Sequence, residues 1–349
     1  MIIYFIQLLS IPIIIQTIKQ KEKIRNLIIF LILFIPSAIR DISIGADNST
    51  YKFFFLLYGK YSWKEVFRST ELGYVLLNKI VYIFSTDFRT LIVVISFIST
   101  IGVVWFATKY SKDLTISLFL YVCMFYYIST FTFFRQAIAM TLIFLAYDYA
   151  QNKTPFKFVL AVIMASLFHN TAIVCLLIYP LIHVKLKKVH LLFLVPLLFL
   201  GIYFRDSIFN IVWSIVGGRY NYYSNNFSSG SGQSMLLLDV VILAFVIISM
   251  FGLKQREEFS SYEKQLMLWL AGMTTFLQGI ALSFALMNRM TQYFAIPLCI
   301  LLPNLIKSSF KYKDKLLVKL VLMIFGVAFF YYQLKISPES IVPYKVMKF

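Results

Sequence analysis

The chain has 349 residues, of which 60% are hydrophobic and only 14% are charged. Soluble globular domains have about 45–50% apolar and about 25% charged residues, so this composition excludes a soluble enzyme, a disordered chain and a disulfide-stabilised secreted domain. The formal net charge of +18 would indicate nucleic acid in a soluble protein, but in a membrane protein basic cytoplasmic loops explain it. No nucleic-acid partner is therefore expected.

Long apolar segments predict an all-α, polytopic integral membrane protein, with about twelve transmembrane helices in a single domain over residues 1–349. The first segment is expected to be retained as a span, because no basic residue precedes it and no small-residue cleavage site follows it. The predicted spans are 1–18, 25–39, 89–107, 114–131, 134–150, 156–169, 171–184, 189–204, 236–253, 265–287, 290–306 and 316–334.

A further apolar segment, 71–86, decides the predicted topology. If it crossed the membrane, the loop with Lys109 and Lys112 would lie outside, against the positive-inside rule. If it only dips into the membrane and returns, six short basic loops all become cytoplasmic. We therefore predict a re-entrant segment at 71–86, with both termini outside.

This topology places two sizeable loops, 40–88 and 205–235, on the outer face. The first half of 205–235 is typical of an amphipathic helix on the membrane surface, and its Ser/Gly-rich second half is typical of a mobile lid. No internal repeat is evident, which disfavours transporter folds that are built from inverted repeats.

Polar residues follow the second predicted span, at Arg40, Gly45, Asp47 and Tyr51. Gly45 permits a tight turn, while Asp47 and Tyr51 offer an acceptor and an amphipathic ring to a polar ligand. An ordinary solvated loop would have the same composition, so both interpretations stay open.

Glu71 and Tyr74 lie at the start of the re-entrant segment. A carboxylate held at the membrane surface tends to have a pKa raised by desolvation, which would suit a general base. The alternative is that Glu71 only stabilises the positive end of a helix dipole.

Two polar pairs mark the ends of later spans. Arg135 and Gln136 open the fifth span, where a guanidinium beside helix N-terminal amides favours phosphate oxygens. His169 and Asn170 lie between two spans that are joined by almost no loop, and a confined histidine is a natural proton acceptor. Interfacial snorkelling of Arg135 and a structural histidine are the alternatives.

The second half of the chain adds further residues on the outer side. Asn288, Arg289 and Tyr293 follow the tenth span, and Arg219 and Tyr220 lie in the 205–235 loop. Together with Arg135, the arginines Arg219 and Arg289 on the same side indicate a polyanionic ligand such as pyrophosphate. No paired carboxylates of the DxD type are present in the first outer loop, so neither a metal nor a cofactor is expected.

Five motifs in this order, GADNSTY, ELGYVLLN, FFRQAIAMTLIFLAYDYA, ASLFHNTAIV and NRMTQYF, resemble the EpsG family of bacterial membrane proteins. These are Wzy-like polymerases of capsular, exopolysaccharide or related repeat-unit glycans. Gly45, Asp47 and Tyr51 match the family's Gly-Thr-Asp pattern with its downstream tyrosine, although Ala46 replaces the threonine. The Arg-Gln run at 135–139 and the Phe-His run at 165–172 match as well.

The resemblance implies a fold similar to the membrane-embedded glycosyltransferases that use lipid-linked sugars. It implies a multi-pass protein of the bacterial cell membrane, with its site facing outside. The implied substrates are oligosaccharide units carried on undecaprenyl pyrophosphate and the growing glycan chain. Besides the lipid bilayer, a chain-length regulator and a flippase are the implied partners.

Together, the motifs and the resemblance predict an active site that needs no metal. The expected catalytic residues are His169, Glu71, Arg135 and Arg289, with either His169 or Glu71 as the base. The expected substrate contacts are Arg40, Asp47, Tyr51, Tyr74, Gln136, Asn170, Arg219, Tyr220, Asn288 and Tyr293. Four alternatives stay open: a flippase of the lipid-linked unit, a membrane acyltransferase, a transferase of single sugars from a lipid phosphate, and an O-antigen-type ligase.

Overall fold

A computed structural model describes residues 1–18, 20–216, 230–252, 261–282, 287–310, 312–336 and 341–347. Within these ranges the chain is helical, apart from connecting turns and one isolated antiparallel bridge between Arg40 and Val346. The α-helices are α1 (Ile2–Thr17), α2 (Glu22–Ala38), α3 (Asn48–Lys60), α4 (Trp63–Phe67), α5 (Leu72–Phe84), α6 (Phe88–Tyr110), α7 (Leu114–Cys123), α8 (Tyr126–Ser129), α9 (Phe134–Gln151), α10 (Pro155–Phe168), α11 (Ile178–His183), α12 (Leu194–Val216), α13 (Gly230–Gly252), α14 (Ser261–Ala281), α15 (Met287–Ser309) and α16 (Tyr312–Ile336). Two 3-10 helices, Asn170–Leu177 and Lys188–Phe193, precede α11 and α12.

The all-helical fold predicted from composition is confirmed in the described part of the chain, and its long apolar helices are consistent with the predicted membrane protein. Four helices there are long and apolar enough to cross a membrane, namely α6, α15 and the segments Ser234–Phe251 of α13 and Lys313–Ile336 of α16. Several shorter apolar helices accompany them. Each of the twelve predicted spans contains helix, whereas the number that cross the bilayer stays a prediction.

The segment 40–70, expected to be part of an outer loop, contains two helices. In α3, Tyr51 and Phe55 are one turn apart and buried in the same apolar cluster, which gives this helix an inner face. A capping box then starts α4, because the Ser62 hydroxyl accepts from the Glu65 amide while the Glu65 carboxylate accepts from the Ser62 amide.

The predicted re-entrant segment 71–86 forms α5, a helix of 13 residues. At 1.5 Å per residue it is about 20 Å long, shorter than the roughly 30 Å hydrocarbon core of a bilayer. It packs against α3, α6 and α10, and its buried face includes Tyr74 and Asn78. The length of α5 is therefore compatible with a segment that does not cross.

Two other predicted elements differ from the structure. The span 114–131 is broken between α7 and α8, where Phe125 has a φ of 69°, a left-handed conformation that ends a helix. The surface helix expected after residue 205 is not separate, because α12 continues without a break to Val216. The lid expected in the second half of the 205–235 loop falls on residues 217–229, outside the described part.

The chain folds into two compact units. One comprises residues 1–176 and 319–349, and the other comprises residues 177–318. In the second unit, α12 and α14 approach closely at Gly201 and Gly279, where a Cβ on Gly279 would lie 2.7 Å from the Leu198 carbonyl oxygen. The first unit holds the cluster of charged residues that is described next.

Candidate active site

Glu71 is the centre of a charged cluster where three helix ends meet. Its carboxylate forms an ion pair with Arg135, in the first turn of α9. Its Oε1 lies 3.2 Å from Nδ1 of His169, the residue that ends α10. The backbone amide of Asn170 donates to the same oxygen at 3.4 Å. The structure thus brings together three of the four predicted catalytic residues.

Gly73 allows α5 and α10 to approach closely enough for this contact. A Cβ at Gly73 would lie 3.0 Å from the Phe168 ring and 3.2 Å from the carbonyl carbon of Leu167. Because Glu71 lies two residues before Gly73 and His169 directly follows Phe168, any outward shift of α5 would separate the carboxylate from the imidazole. The glycine of the ELGY motif is therefore a positioning feature of the site.

Aromatic rings surround the guanidinium of Arg135. Its Cζ lies 5.8 Å from the ring centroid of Tyr51 and 5.9 Å from that of Tyr74, within the range of cation–π attraction. Tyr51 in turn stacks on Phe134, with centroids 4.6 Å apart and an interplanar angle of 1°. These contacts place the predicted residues Tyr51 and Tyr74 in the same cluster as Arg135.

The electrostatics of Glu71 differ from the sequence-based expectation. Burial by itself would raise the pKa of Glu71, but the hydrogen bond with His169 and the charge of Arg135 outweigh it, so the pKa is lowered. The expected raised pKa is therefore wrong, and Glu71 is ionised at neutral pH. The side chains of Glu71 and His169 are 13% and 12% exposed, whereas that of Arg135 is 36% exposed, so Arg135 is the most accessible of the three charged groups.

The tight turn predicted at Gly45 is confirmed. Gly45 has a φ of 126°, and a Cβ there would overlap the carbonyl oxygen of Phe131, so only glycine fits. Asn48 supports the turn by donating from Nδ2 to the Ile42 and Ile44 carbonyls at 3.1 and 2.6 Å. The turn leads into α3, and the predicted residue Asp47 directly precedes that helix, partly buried.

Arg40 does not join the Glu71 cluster. It is 1% exposed, and its Nη1 donates to the Ser37 carbonyl and, at 3.0 Å, to the Ser96 hydroxyl. Tertiary packing covers the side chain in this conformation, so the structure gives no support to the predicted direct substrate contact from Arg40.

The remaining predicted residues lie in several places. Gln136 is buried, and Asn170 is exposed and joins the cluster through its backbone amide. Asn288, Arg289 and Tyr293 belong to the second compact unit, where Tyr293 is fully buried. Arg219 and Tyr220 lie outside the described residues.

Tyr58, which the sequence analysis missed, packs against the apolar cluster that includes Tyr51 and Tyr74. Burial raises the pKa of Tyr58, while the nearby charge of Arg135 lowers it and that of Glu71 raises it. The available signal was its spacing from Tyr51, because residues seven apart share one face of a helix.

The arrangement combines a carboxylate, an imidazole and a guanidinium. Such a group can hold a proton on the imidazole and can stabilise negative charge through the guanidinium. Within the described ranges, no three or more His, Cys, Asp or Glu residues gather as metal ligands do.

Comparison with known proteins gives one family. A family model described as the EpsG family matches residues 23–346, nearly the whole chain. No curated protein and no solved structure matches the chain.

Proposed function

The chain belongs to the EpsG family, a family of Wzy-like polymerases, and on that basis we propose that it polymerises lipid-linked oligosaccharide repeat units. In this proposal it is a membrane glycosyltransferase of the bacterial surface. It joins units carried on undecaprenyl pyrophosphate into a capsular polysaccharide, exopolysaccharide or similar glycan at the outer leaflet. The single observation that supports this chemistry best is the contact of Glu71 with both Arg135 and His169.

In the proposed reaction, Arg135 binds the donor pyrophosphate. Its guanidinium is the most exposed charge of the cluster and suits the paired oxygens of a phosphate. The bond between the anomeric carbon and the phosphate oxygen breaks, and the electron pair leaves with undecaprenyl pyrophosphate. Arg135 stabilises the charge that develops on this leaving group, while the Tyr51 and Tyr74 rings flank the guanidinium.

We assign the proton acceptor to His169. The ionised Glu71 is a weak base because its pKa is lowered, but it can accept a hydrogen bond from Nδ1 of His169 and so leave Nε2 as the basic nitrogen. The acceptor hydroxyl forms the new bond to the anomeric carbon, and its proton passes to Nε2. Nε2 is buried, so the site must open at the His169 edge before transfer.

The test is the length profile of surface glycan and lipid-linked glycan in cells. Deletion of the gene should reduce a ladder of lengths to a single outward-facing repeat unit. His169→Gln, Glu71→Gln and Arg135→Ala should each reproduce most of that loss. Arg89→Ala is a matched control, since Arg89 lies outside the Glu71 cluster and forms a partly exposed ion pair with Asp87 at 3.9 Å.

Other outcomes would replace the proposal. Repeat units trapped at the cytoplasmic leaflet would identify a flippase. A complete ladder that lacks only an acyl group or a terminal sugar would identify an acyltransferase or a monosaccharide transferase, and a normal ladder that is no longer attached to its final acceptor would identify a ligase. Full polymer formation by variants that insert normally would refute the roles given to the three residues.

A further inference from the structure

Arg40 is a buried cation in the described structure, at a position just after α2. Its Nη1 is held by the Ser37 carbonyl and the Ser96 hydroxyl. Within the described ranges, no carboxylate forms an ion pair with it. Burial lowers the pKa of Arg40 to about 10, although the nearby Tyr127, Tyr344 and Tyr4 favour the charged form, so the residue is charged at neutral pH.

Two aromatic faces take the place of a counter-ion. The Cζ of Arg40 lies 4.5 Å from the ring centroid of Phe131 and 5.5 Å from that of Phe134. Cation–π attraction is strongest where the cation is desolvated, which is the case here. The guanidinium therefore restrains the orientation of the Phe134 ring.

Phe134 connects Arg40 to the charged cluster. One contact of this ring is with Arg40, and Tyr51 stacks on it with parallel planes 4.6 Å apart by centroid. Tyr51 also lies against the Arg135 guanidinium, 5.8 Å from Cζ to centroid. An unbroken series of packed side chains thus runs from Arg40 to Arg135.

The C-terminal segment 341–347 restrains the backbone of Arg40. Arg40 and Val346 form the antiparallel bridge, and the Asp41 amide donates to the Lys345 carbonyl at 2.9 Å. The Tyr344 hydroxyl donates to the Pro36 carbonyl at 2.7 Å, near the end of α2. The segment is therefore attached to the same turn of chain that carries Arg40.

We propose that Arg40, held by the C-terminal segment 341–347, positions Arg135 in the active site through Phe134 and Tyr51. Arg40 is then a positioning residue and not a substrate contact. The effect on polymer formation rests on the proposed function, whereas the effect on the geometry of the Glu71 cluster does not.

The ionisation of Glu71 reports that geometry directly. The titratable and charged groups around it are His169 at the end of α10, Arg135 on α9, and the phenols of α3 and α5. If Arg135 moves away, the burial of Glu71 is no longer offset, and the carboxyl should titrate at higher pH. A loss of general stability would not produce this shift in a folded protein.

The experiment measures the titration of Glu71 in the full chain in lipid nanodiscs. Glutamate is labelled with ¹³C at the carboxyl carbon, and the Glu71 resonance is identified by its loss in Glu71→Gln. An opposite charge at this range lowers a carboxyl pKa by about 1–3, so Arg40→Met should raise the midpoint by about one pH unit. Arg40→Lys should give a smaller rise, and the control Arg89→Met should give none.

Removal of residues 341–349 and the variant Phe131→Leu test the same inference by other routes. Both leave Arg40 in place but remove one of its restraints, so each should raise the Glu71 midpoint by less than Arg40→Met does. If the Arg40→Met protein does not fold, these two variants provide the test in its place. A wild-type midpoint in folded Arg40→Met, or in both of these variants, would overturn the proposal.

Glycan length profiles of the same variants separate this proposal from the proposed function. If Arg40→Met shifts the titration midpoint of Glu71 and also shortens the glycan chains, both proposals are supported. If the wild-type protein forms no polymer, the proposed function fails, and the titration still decides whether Arg40 positions Arg135.

Discussion

Substitution of Gly73 by alanine is the sharpest test of how the helices set up the site. The added Cβ would lie 3.0 Å from the Phe168 ring, whereas ordinary contacts begin at 3.4 Å. The start of α5 must therefore retreat by about 0.4 Å, or the ring must yield by that amount. If the shift is passed to Glu71, its distance to Nδ1 of His169 grows from 3.2 Å to about 3.6 Å, beyond hydrogen-bonding range.

We expect Gly73→Ala to reduce polymer formation more than its loss of stability alone would explain. Overpacking of this size costs about 1–3 kcal/mol of stability, part of which is offset because alanine restricts the unfolded chain more than glycine does. Misplacement of a reacting group by 1 Å can cost about 100-fold in rate, so we expect about a tenfold loss here. The assays are thermal unfolding of the purified protein and the glycan length profile.

Gly272→Ala is the matched control, because among the described residues a Cβ at Gly272 would meet only Leu194, at 4.0 Å. It should be neutral or slightly stabilising, with a normal glycan profile. The double variant Gly73→Ala/Phe168→Leu should regain part of the lost activity, since the smaller side chain relieves the closest contact. Normal polymer length and a normal Glu71 titration in Gly73→Ala would show that the approach of α5 to α10 does not position the pair.

Three further predictions concern stability. Gly45→Ala should destabilise the protein by about 2–3 kcal/mol, because it needs a strained positive φ and overlaps the Phe131 carbonyl oxygen; unchanged thermal unfolding would contradict this. Because the pKa of Glu71 is lower in the folded than in the unfolded protein, its ionised carboxylate stabilises the folded state above the unfolded pKa of about 4.3. This stabilisation is lost as the pH falls through the folded pKa. The difference in unfolding free energy between wild type and Glu71→Gln should therefore shrink as the pH falls below about 5. A difference that stays the same between about pH 5 and about pH 3 would refute this. Lys319→Met should lower the free energy of unfolding by about 1–2 kcal/mol, because it removes the ion-pair partner of Asp113. Calorimetry that shows no change would mean that this ion pair between α16 and the start of α7 does not stabilise the protein.

The residues of the candidate site were partly predictable from sequence. Glu71, Arg135 and His169 each lie at a helix end, and the count of basic loops placed all three on one side of the membrane. That reasoning predicts proximity to one surface but not contact. Which helix ends meet depends on packing, and here the close approach at Gly73 brings α5 against α10.

The environment of individual groups was less predictable. Arg40 and Arg135 are both arginines beside apolar helices, yet one is buried between phenylalanine rings and the other is partly exposed beside Glu71. Likewise, burial of Glu71 alone would raise its pKa, and the opposite outcome depends on two partners that are 64 and 98 residues away. A local sequence pattern cannot show that residues so far apart along the chain are in contact.

The sequence by itself determined that the protein is an all-helical membrane protein, because long apolar segments can satisfy their backbone groups in a bilayer only as helices. It also determined where the apolar segments begin and end. Only the tertiary structure decided that 48–60 is a helix, that α7 and α8 are separate, and which charged side chains pair. The physical reason is that membrane helices are apolar on nearly all sides, so their sequence does not say which face meets which neighbour. The pairing of Glu71 with Arg135 and His169 is a consequence of that packing.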